Sequence, residues 1–314
     1  MTRPVGEPNL LVFASTLLEL AQKDRNIIVV TSDSRGSGKL VAFGEQLPDQ
    51  IVEVGVAEQH LVGMAAGLAS CGKKVFAVSP ACFLTARALE HIKNDIAYSD
   101  YPVTLVGISA GVSYGALGST HHSLHDLAAL RAVSNIDIVV PGDNFETREA
   151  VTAAVDHPRP LYIRFGKKAM AHLYKQPPVF TIGKANLVKQ GNDIAFISTG
   201  ETTEQAFAAA QELEGHGISG RVISMHTIKP LDVECICQTA QECKVIITVE
   251  EHSIHGGLGE ACASVILEAG IHTRFHSFAV QDEETVTGSQ MEIYTHYGLA
   301  ANGLVTSAKK MLQI

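Results

Sequence analysis

The amino-acid sequence predicts an α/β protein made of two doubly wound domains. Short runs rich in β-branched residues alternate with helical stretches along the whole chain, as in a mostly parallel sheet that has helices on both faces. The alternation pauses once, in a stretch with two adjacent prolines, and then resumes in a shorter second half. A chain of 314 residues is long enough for two such domains.

The first half is predicted to form a mostly parallel-sheet domain over residues 1–175. Its strands are expected at 26–34, 50–56, 73–80, 103–109, 137–143 and 160–166. Helices are expected between them, at 9–23, 58–70, 84–98, 124–131 and 145–156. The strands are apolar on both faces, which favours a sheet covered on both sides.

A connector is predicted at 176–190, where Pro177, Pro178 and Gly183 interrupt the pattern. Strand-like runs then return in "DIAFISTG", "GRVISMHTIKP" and "KVIITVEEHS". Helices are expected at 201–216, 231–241 and 257–269. These elements predict a smaller α/β domain over residues 191–314.

Composition argues against several classes of protein. The net charge is −9 with interspersed signs, whereas a nucleic-acid-binding protein presents a basic face. No apolar run approaches the roughly 18 residues of a membrane span, and the N-terminus lacks the pattern of a secretory signal. The six cysteines form no C-x-x-C pair, so neither a zinc site nor a disulfide framework is predicted. We therefore expect a cytoplasmic protein that binds neither nucleic acid nor membrane.

Residues that could carry chemistry follow the carboxyl ends of predicted strands, where open parallel sheets bind ligands. Glu58 begins a helix among small and apolar residues, and a carboxylate buried there needs a charged or proton-donating partner. Phe83 follows the next strand, and His121 lies beside a second histidine in "AGVSYGALGSTHHSLHD". This loop matches neither phosphate-binding glycine pattern, and no nucleophile motif is present. A bound cofactor is therefore expected to carry the chemistry.

Five segments together resemble the C-terminal half of a transketolase. They are "VEVGVAEQHLVGMAAGLAS", "ACFLTARALEHIKNDIAY", "YGALGSTHHSLHDLAALRAVSNIDIVVPGD", "PLYIRFGK" and "IITVEEHSIHGGLG". The resemblance covers nearly the whole chain, in order. It implies a pyrimidine-binding domain followed by a C-terminal domain, with thiamine diphosphate as the cofactor.

The resemblance implies which residues meet the cofactor. A glutamate at the position of Glu58 bonds N1′ of the aminopyrimidine and promotes the tautomer that takes a proton from the thiazolium carbon. Phe83 resembles the aromatic residue that stacks on the pyrimidine ring. Asp33 falls where the family has an acid of the cofactor pocket.

The resemblance also implies residues for a sugar substrate. His121 matches a histidine that faces the sugar, where it would be a second catalytic residue by hydrogen bonding or acid–base action at the hydroxyls. Arg164 matches a basic residue near the substrate's anionic end, and Ser37 matches a serine that binds substrate phosphate. Leu10 and Ser109 replace an arginine and a histidine that are frequent in the family, so an unusual acceptor sugar is expected.

The family's diphosphate-binding domain and its G-D-G metal motif do not occur in these 314 residues. The resemblance therefore implies a split transketolase, in which a separate N-terminal subunit holds the diphosphate and its Mg²⁺ or Ca²⁺. Two copies of each subunit are expected, and no metal ligand is predicted in this chain. The expected reaction transfers a two-carbon ketol unit from a ketose to an aldose.

Three alternative functions remain open at this point. The chain could be the beta chain of an α-keto acid dehydrogenase, which shares the two-domain plan and the glutamate. It could resemble a 1-deoxyxylulose-5-phosphate synthase, which normally carries its own diphosphate domain. It could also be a noncatalytic scaffold subunit that keeps the fold.

Overall fold

Two large sheets covered by helices and one small antiparallel pair of strands organise the chain in a computed structural model, which describes residues 3–313. Residues 1, 2 and 314 of the predicted domain ranges lie outside this description. The strands, in chain order, are β1 Val5–Pro8, β2 Ile27–Thr31, β3 Ile51–Glu53, β4 Lys74–Pro80, β5 Val103–Ile108, β6 Asp137–Val139, β7 Leu161–Arg164, β8 Ala169–Ala171, β9 Asn186–Lys189, β10 Ile194–Ser198, β11 Gly220–Ser224, β12 Thr227–Lys229, β13 Val245–Ser253 and β14 Arg274–Val280.

Helices connect most of these strands. They are α1 Asn9–Ala21, α2 Val41–Gln46, α3 Glu58–Ser70, α4 Ala81–Arg87, α5 Leu89–His91, α6 Asp126–Ala132, α7 Asn144–Ala154, α8 Thr202–Glu214, α9 Val233–Glu242, α10 Leu258–Glu268, α11 Gln290–His296 and α12 Ala301–Leu312. A π-helix over Ile92–Tyr98 continues from α5. The single helix expected at 84–98 is therefore three shorter pieces.

The first sheet has seven strands in the order β12-β6-β7-β5-β4-β2-β3. All neighbouring strands run parallel except β12, which pairs antiparallel with β6. Strands β2 and β5 are buried at every position because helices cover both faces. The edge strand β12 comes from the second half of the chain, so the two halves share this sheet.

The second sheet has five strands in the order β14-β13-β10-β11-β9. Only β9 runs antiparallel to its neighbour, β11. The predicted α/β class, with a larger and a smaller mostly parallel sheet, is confirmed. Strand β9 lies within the predicted connector 176–190, and the division of the chain at that connector stays a prediction.

A buried arginine joins the first sheet to the second half of the chain. Arg164, the last residue of β7, donates from Nε to Asp126 Oδ2 at 2.7 Å. Its Nη2 donates to the carbonyl oxygens of Ser123 at 3.0 Å and Glu251 at 2.8 Å. Burial alone would raise the pKa of Asp126, but the Arg164 charge holds it below its usual range. Because Glu251 belongs to β13, one guanidinium fixes elements of both sheets.

We expect Arg164→Met to lower the free energy of unfolding by about 3–5 kcal/mol, because the substitution removes the cation that pairs with the buried Asp126 carboxylate and leaves it the hydrogen bond from the Tyr162 hydroxyl. Denaturant unfolding followed by circular dichroism measures this change. Arg148→Met is the control, since the ion pair of Arg148 with Glu19 is about half exposed and should contribute much less. Equal losses for the two variants would contradict the assignment.

Candidate active site

Glu58 lies at the first turn of α3, directly beyond the carboxyl edge of the first sheet. Its carboxylate is 4% exposed, and a helix N-terminus favours negative charge at this position. Arg87 Nη1 lies 3.0 Å from both carboxylate oxygens. A buried carboxylate was expected to need a charged or proton-donating partner. Within this chain, that partner is the guanidinium of Arg87, at the end of α4.

Arg87 also contacts Phe83 on the same short helix. The guanidinium carbon lies over the Phe83 ring, 4.3 Å from its centre, so one cation contacts both a carboxylate and an aromatic ring. Glu58 and Phe83 therefore converge on one planar, nitrogen-bearing group. That these two residues bind the same ligand stays a prediction.

His121 also contacts Phe83. The two rings make an edge contact with centroids 5.3 Å apart, and His121 makes a similar contact with Tyr114. His121 Nδ1 lies 2.9 Å from Thr120 Oγ1, which leaves Nε2 to meet a ligand. The chain thus brings together three of the residues singled out from the sequence.

The neighbouring histidine has a different environment. His122 is 4% exposed, and its Nε2 is 3.0 Å from the carbonyl oxygen of Gly115. Burial lowers its pKa, which keeps the ring neutral at physiological pH. Of the two adjacent histidines, only His121 is half-buried and in contact with the site.

A lysine that the sequence reasoning missed lies beside the Tyr114 ring, and a second lysine is close enough to interact with its charge. Lys167 Nζ is 4.4 Å from the centre of the Tyr114 ring. Partial burial and the charge of nearby Lys39 lower the pKa of Lys167. Two positive charges close enough to repel each other form a natural partner for an anion. The sequence feature that could have identified Lys167 is its position just beyond the carboxyl end of β7.

Arg164 does not fit the substrate-binding role expected for it. Strand β7 is buried at all four positions, so its last side chain enters the core. Arg164 is 5% exposed and its three hydrogen bonds all go to protein groups. The geometry assigns Arg164 to the contact between the two halves of the chain instead.

Asp33 and Ser37 lie on the loop after β2. Asp33 has a φ of 55°, and its backbone N–H donates to Glu53 Oε1 at 2.6 Å. Ser37 Oγ donates to the carbonyl oxygen of Ser34 at 3.3 Å. Over residues 3–313, neither side chain is hydrogen-bonded to the Glu58, Phe83 and His121 group, so their roles stay predictions.

Metal-binding clusters and membrane spans do not occur in the part of the chain that the structure describes. Within it, no cluster of three or more histidine, cysteine, aspartate or glutamate side chains could hold a metal ion. None of the helices described is both long and apolar enough to cross a membrane. The six cysteines are free thiols.

Comparisons with known proteins cover almost the whole chain. The model of the transketolase pyrimidine-binding domain matches residues 10–172, and that of the transketolase C-terminal domain matches residues 183–304. The chain is 46% identical to an apulose-4-phosphate transketolase subunit of Phocaeicola vulgatus, over 96% of both chains. It is 31% identical to a 6-deoxy-6-sulfo-D-fructose transketolase subunit of a Clostridium species, over 96% of this chain and 93% of that one.

A solved structure described as a split gene transketolase, inactive beta4 tetramer, superimposes with a TM-score of 0.88. It shares 32% identity and covers 98% of this chain and 99% of its own. Relatives matched along almost their whole length are thus transketolase subunits, which does not favour the dehydrogenase, synthase or scaffold alternatives. The chain belongs to the transketolase family, as the subunit of a split enzyme that carries the pyrimidine-binding and C-terminal domains.

Proposed function

We propose that this chain supplies the pyrimidine side of a thiamine diphosphate site in a two-subunit transketolase. The observation that carries the proposal is the convergence of the Glu58 carboxylate and the Phe83 ring on the planar group of Arg87. An aminopyrimidine ring has the same two features, a nitrogen-bearing edge and a flat face. It can therefore take the place of the guanidinium, and these residues fit the cofactor that the family uses.

Each residue then has a defined task. Glu58 holds a proton at the N1′ atom of the pyrimidine, and its burial strengthens that hydrogen bond. Phe83 stacks on the ring and fixes its orientation. His121 presents Nε2 to a sugar hydroxyl, because Thr120 occupies Nδ1. When bound, the cofactor supplies the electron sink that allows a two-carbon ketol unit to leave a ketose and join an aldose.

A separate N-terminal subunit would complete the site. This chain contains no G-D-G motif, so the diphosphate and its Mg²⁺ or Ca²⁺ are assigned to that partner. Two copies of each subunit would form an α2β2 assembly, which we place in the cytoplasm. The likeness to a structure described as a beta4 tetramer supports self-association of such chains.

The substrate's anionic end would meet Lys39 and Lys167. These lysines carry the positive charge near Tyr114 and His121 that Arg164 does not supply. Ser37, on the same loop as Lys39, remains a proposed contact for the substrate, and Asp33 one for the cofactor. Two relatives are named for a sugar phosphate and a sulfosugar, so an anionic tail is the shared feature that supports this assignment.

We expect thiamine diphosphate and Mg²⁺ to bind this chain only when it is mixed with its G-D-G-bearing N-terminal subunit. The reason is that neither half alone offers both the pyrimidine and the diphosphate contacts. Isothermal titration calorimetry of each subunit and of their mixture measures this. Tight binding to the isolated chain would contradict the split site.

Glu58→Gln should reduce turnover of the assembled enzyme by about 10²-fold or more, because the amide cannot exchange a proton with N1′. The unfolding midpoint should stay close to that of the wild type. Glu45→Gln, at an exposed position of α2, is the matched control and should leave turnover unchanged. Full activity of Glu58→Gln would rule out its catalytic role.

Lys167→Met should raise the KM for a phosphorylated sugar by roughly tenfold, as expected for losing a hydrogen bond between charged groups. The KM for the same sugar without its phosphate should not change. Lys244→Met, which removes an exposed lysine paired with Asp193 in the second half of the chain, is the control. An equal effect on both sugars would show that Lys167 does not meet the anionic end.

A further inference from the structure

The segment over residues 110–124, which we name the His121 loop, lies against the C-terminal domain. The backbone N–H of Val112 donates to Glu251 Oε1 at 3.0 Å. At the other end of the loop, the backbone N–H of Ser253 donates to the carbonyl oxygen of Leu124 at 3.1 Å. Both ends of the loop are therefore held by residues at the end of β13.

Two glycines allow this close approach. Gly111 has a φ of +61°, and a Cβ built there would overlap the carboxyl group of Glu251. Gly115 has a φ of +53°, and its added Cβ would lie 2.6 Å from the carbonyl oxygen of Gly288. Any side chain at either position would push the loop away from the C-terminal domain.

Backbone hydrogen bonds within the loop connect its ends, which are fixed by the C-terminal domain, to the segment that contains His121. The backbone N–H of Ser123 donates to the carbonyl oxygen of Gly111 at 2.8 Å, which closes the loop at its base. The N–H of His121 donates to the carbonyl oxygen of Gly118 at 2.9 Å. A shift of the backbone at Val112 would therefore move the segment that holds His121 against Phe83 and Tyr114.

Glu251 is itself held in a buried chain of polar groups. Gln290 Nε2, from the start of α11, donates to Glu251 Oε1 at 2.8 Å and to Glu201 Oε2 at 2.6 Å. All three side chains are buried. Burial raises the pKa of Glu251, and raises that of Glu201 to about 8, which relieves repulsion between the two carboxyl groups.

We propose that Glu251 is a positioning residue for His121, and that holding the His121 loop through Val112 is a function of the C-terminal domain. The carboxyl oxygen of Glu251 fixes one edge of the loop, and Gln290 fixes the carboxyl group. Glu251 contacts neither of the cofactor-facing residues, Glu58 and Phe83, by any hydrogen bond described over residues 3–313. The kinetic consequence rests on the proposed function, whereas the structural consequence does not.

The test compares Glu251→Leu, Glu251→Gln and Glu250→Leu by hydrogen–deuterium exchange of the isolated chain. Glu251→Leu removes the acceptor for Val112, so exchange over residues 111–124 should rise about tenfold. Glu251→Gln keeps an oxygen acceptor and should stay close to the wild type. Glu250 accepts from Leu258 and Gly259, so Glu250→Leu should increase exchange at the start of α10 and not in the loop.

The assembled enzyme gives the second measurement. Glu251→Leu should lower kcat/KM for the sugar about tenfold while the dissociation constant of thiamine diphosphate stays unchanged, and Glu251→Gln should restore the rate. Equal losses of cofactor binding and of rate would indicate general damage to the fold and overturn the proposal. If the wild-type assembly transfers no ketol unit, the proposed function fails, and the exchange experiment still decides the role of Glu251.

Gln290→Met provides a second variant in case Glu251→Leu does not fold. It leaves the Val112 acceptor in place but removes the group that holds the carboxyl. The proposal is supported if Gln290→Met raises the exchange rate of residues 111–124 by less than tenfold but by more than Glu250→Leu does. Exchange in the loop equal to that of the wild type would overturn it.

Discussion

The burial of the Arg164 guanidinium is the constraint on which the arrangement of the two halves depends. A charged group taken out of water must find its partners within the protein. Arg164 donates hydrogen bonds to three of them, the Asp126 carboxylate and the carbonyl oxygens of Ser123 and Glu251. Because these partners come from α6, the His121 loop and β13, their relative positions are fixed by one side chain. The edge strand β12 joins the halves at a second place.

This constraint links the active site to a domain that supplies none of its proposed cofactor contacts. Glu58 and Phe83 lie in the first turns of helices that directly follow strands of the first sheet. His121 is different, because its loop also lies on the end of β13. The site therefore has one part that follows strands of the first sheet and another whose backbone is also hydrogen-bonded to the second half. A substitution at the contact between the halves can thus displace His121 without touching Glu58 or Phe83.

Residues that lie just after a strand could be predicted from the sequence, because the order of strands and helices sets their position. Residues whose role depends on the direction in which the side chain points could not. Glu58, Phe83 and His121 each come after an apolar run, and parallel strands bring their carboxyl ends to one edge. Arg164 also stands at a strand end, but whether it points into the core or towards ligand depends on packing against the second half. Lys167, three residues later, is therefore proposed for the role expected of Arg164. The division of the helix near Arg87 and the crossing of β12 are likewise tertiary effects with no local signal.

Arg87 is a resident competitor at the proposed cofactor site. Its guanidinium already bonds the Glu58 carboxylate and covers the Phe83 ring, and being part of the chain it is present at a high effective concentration. The chain can therefore fold by itself without an uncompensated buried charge at Glu58. A small molecule that binds at this site must displace the Arg87 side chain. Its measured affinity is therefore the difference between the free energy of its own contacts with Glu58 and Phe83 and that of the contacts Arg87 makes with them. A flat compound that only stacks on Phe83 would gain little, whereas one that also donates to Glu58 replaces both contacts of Arg87.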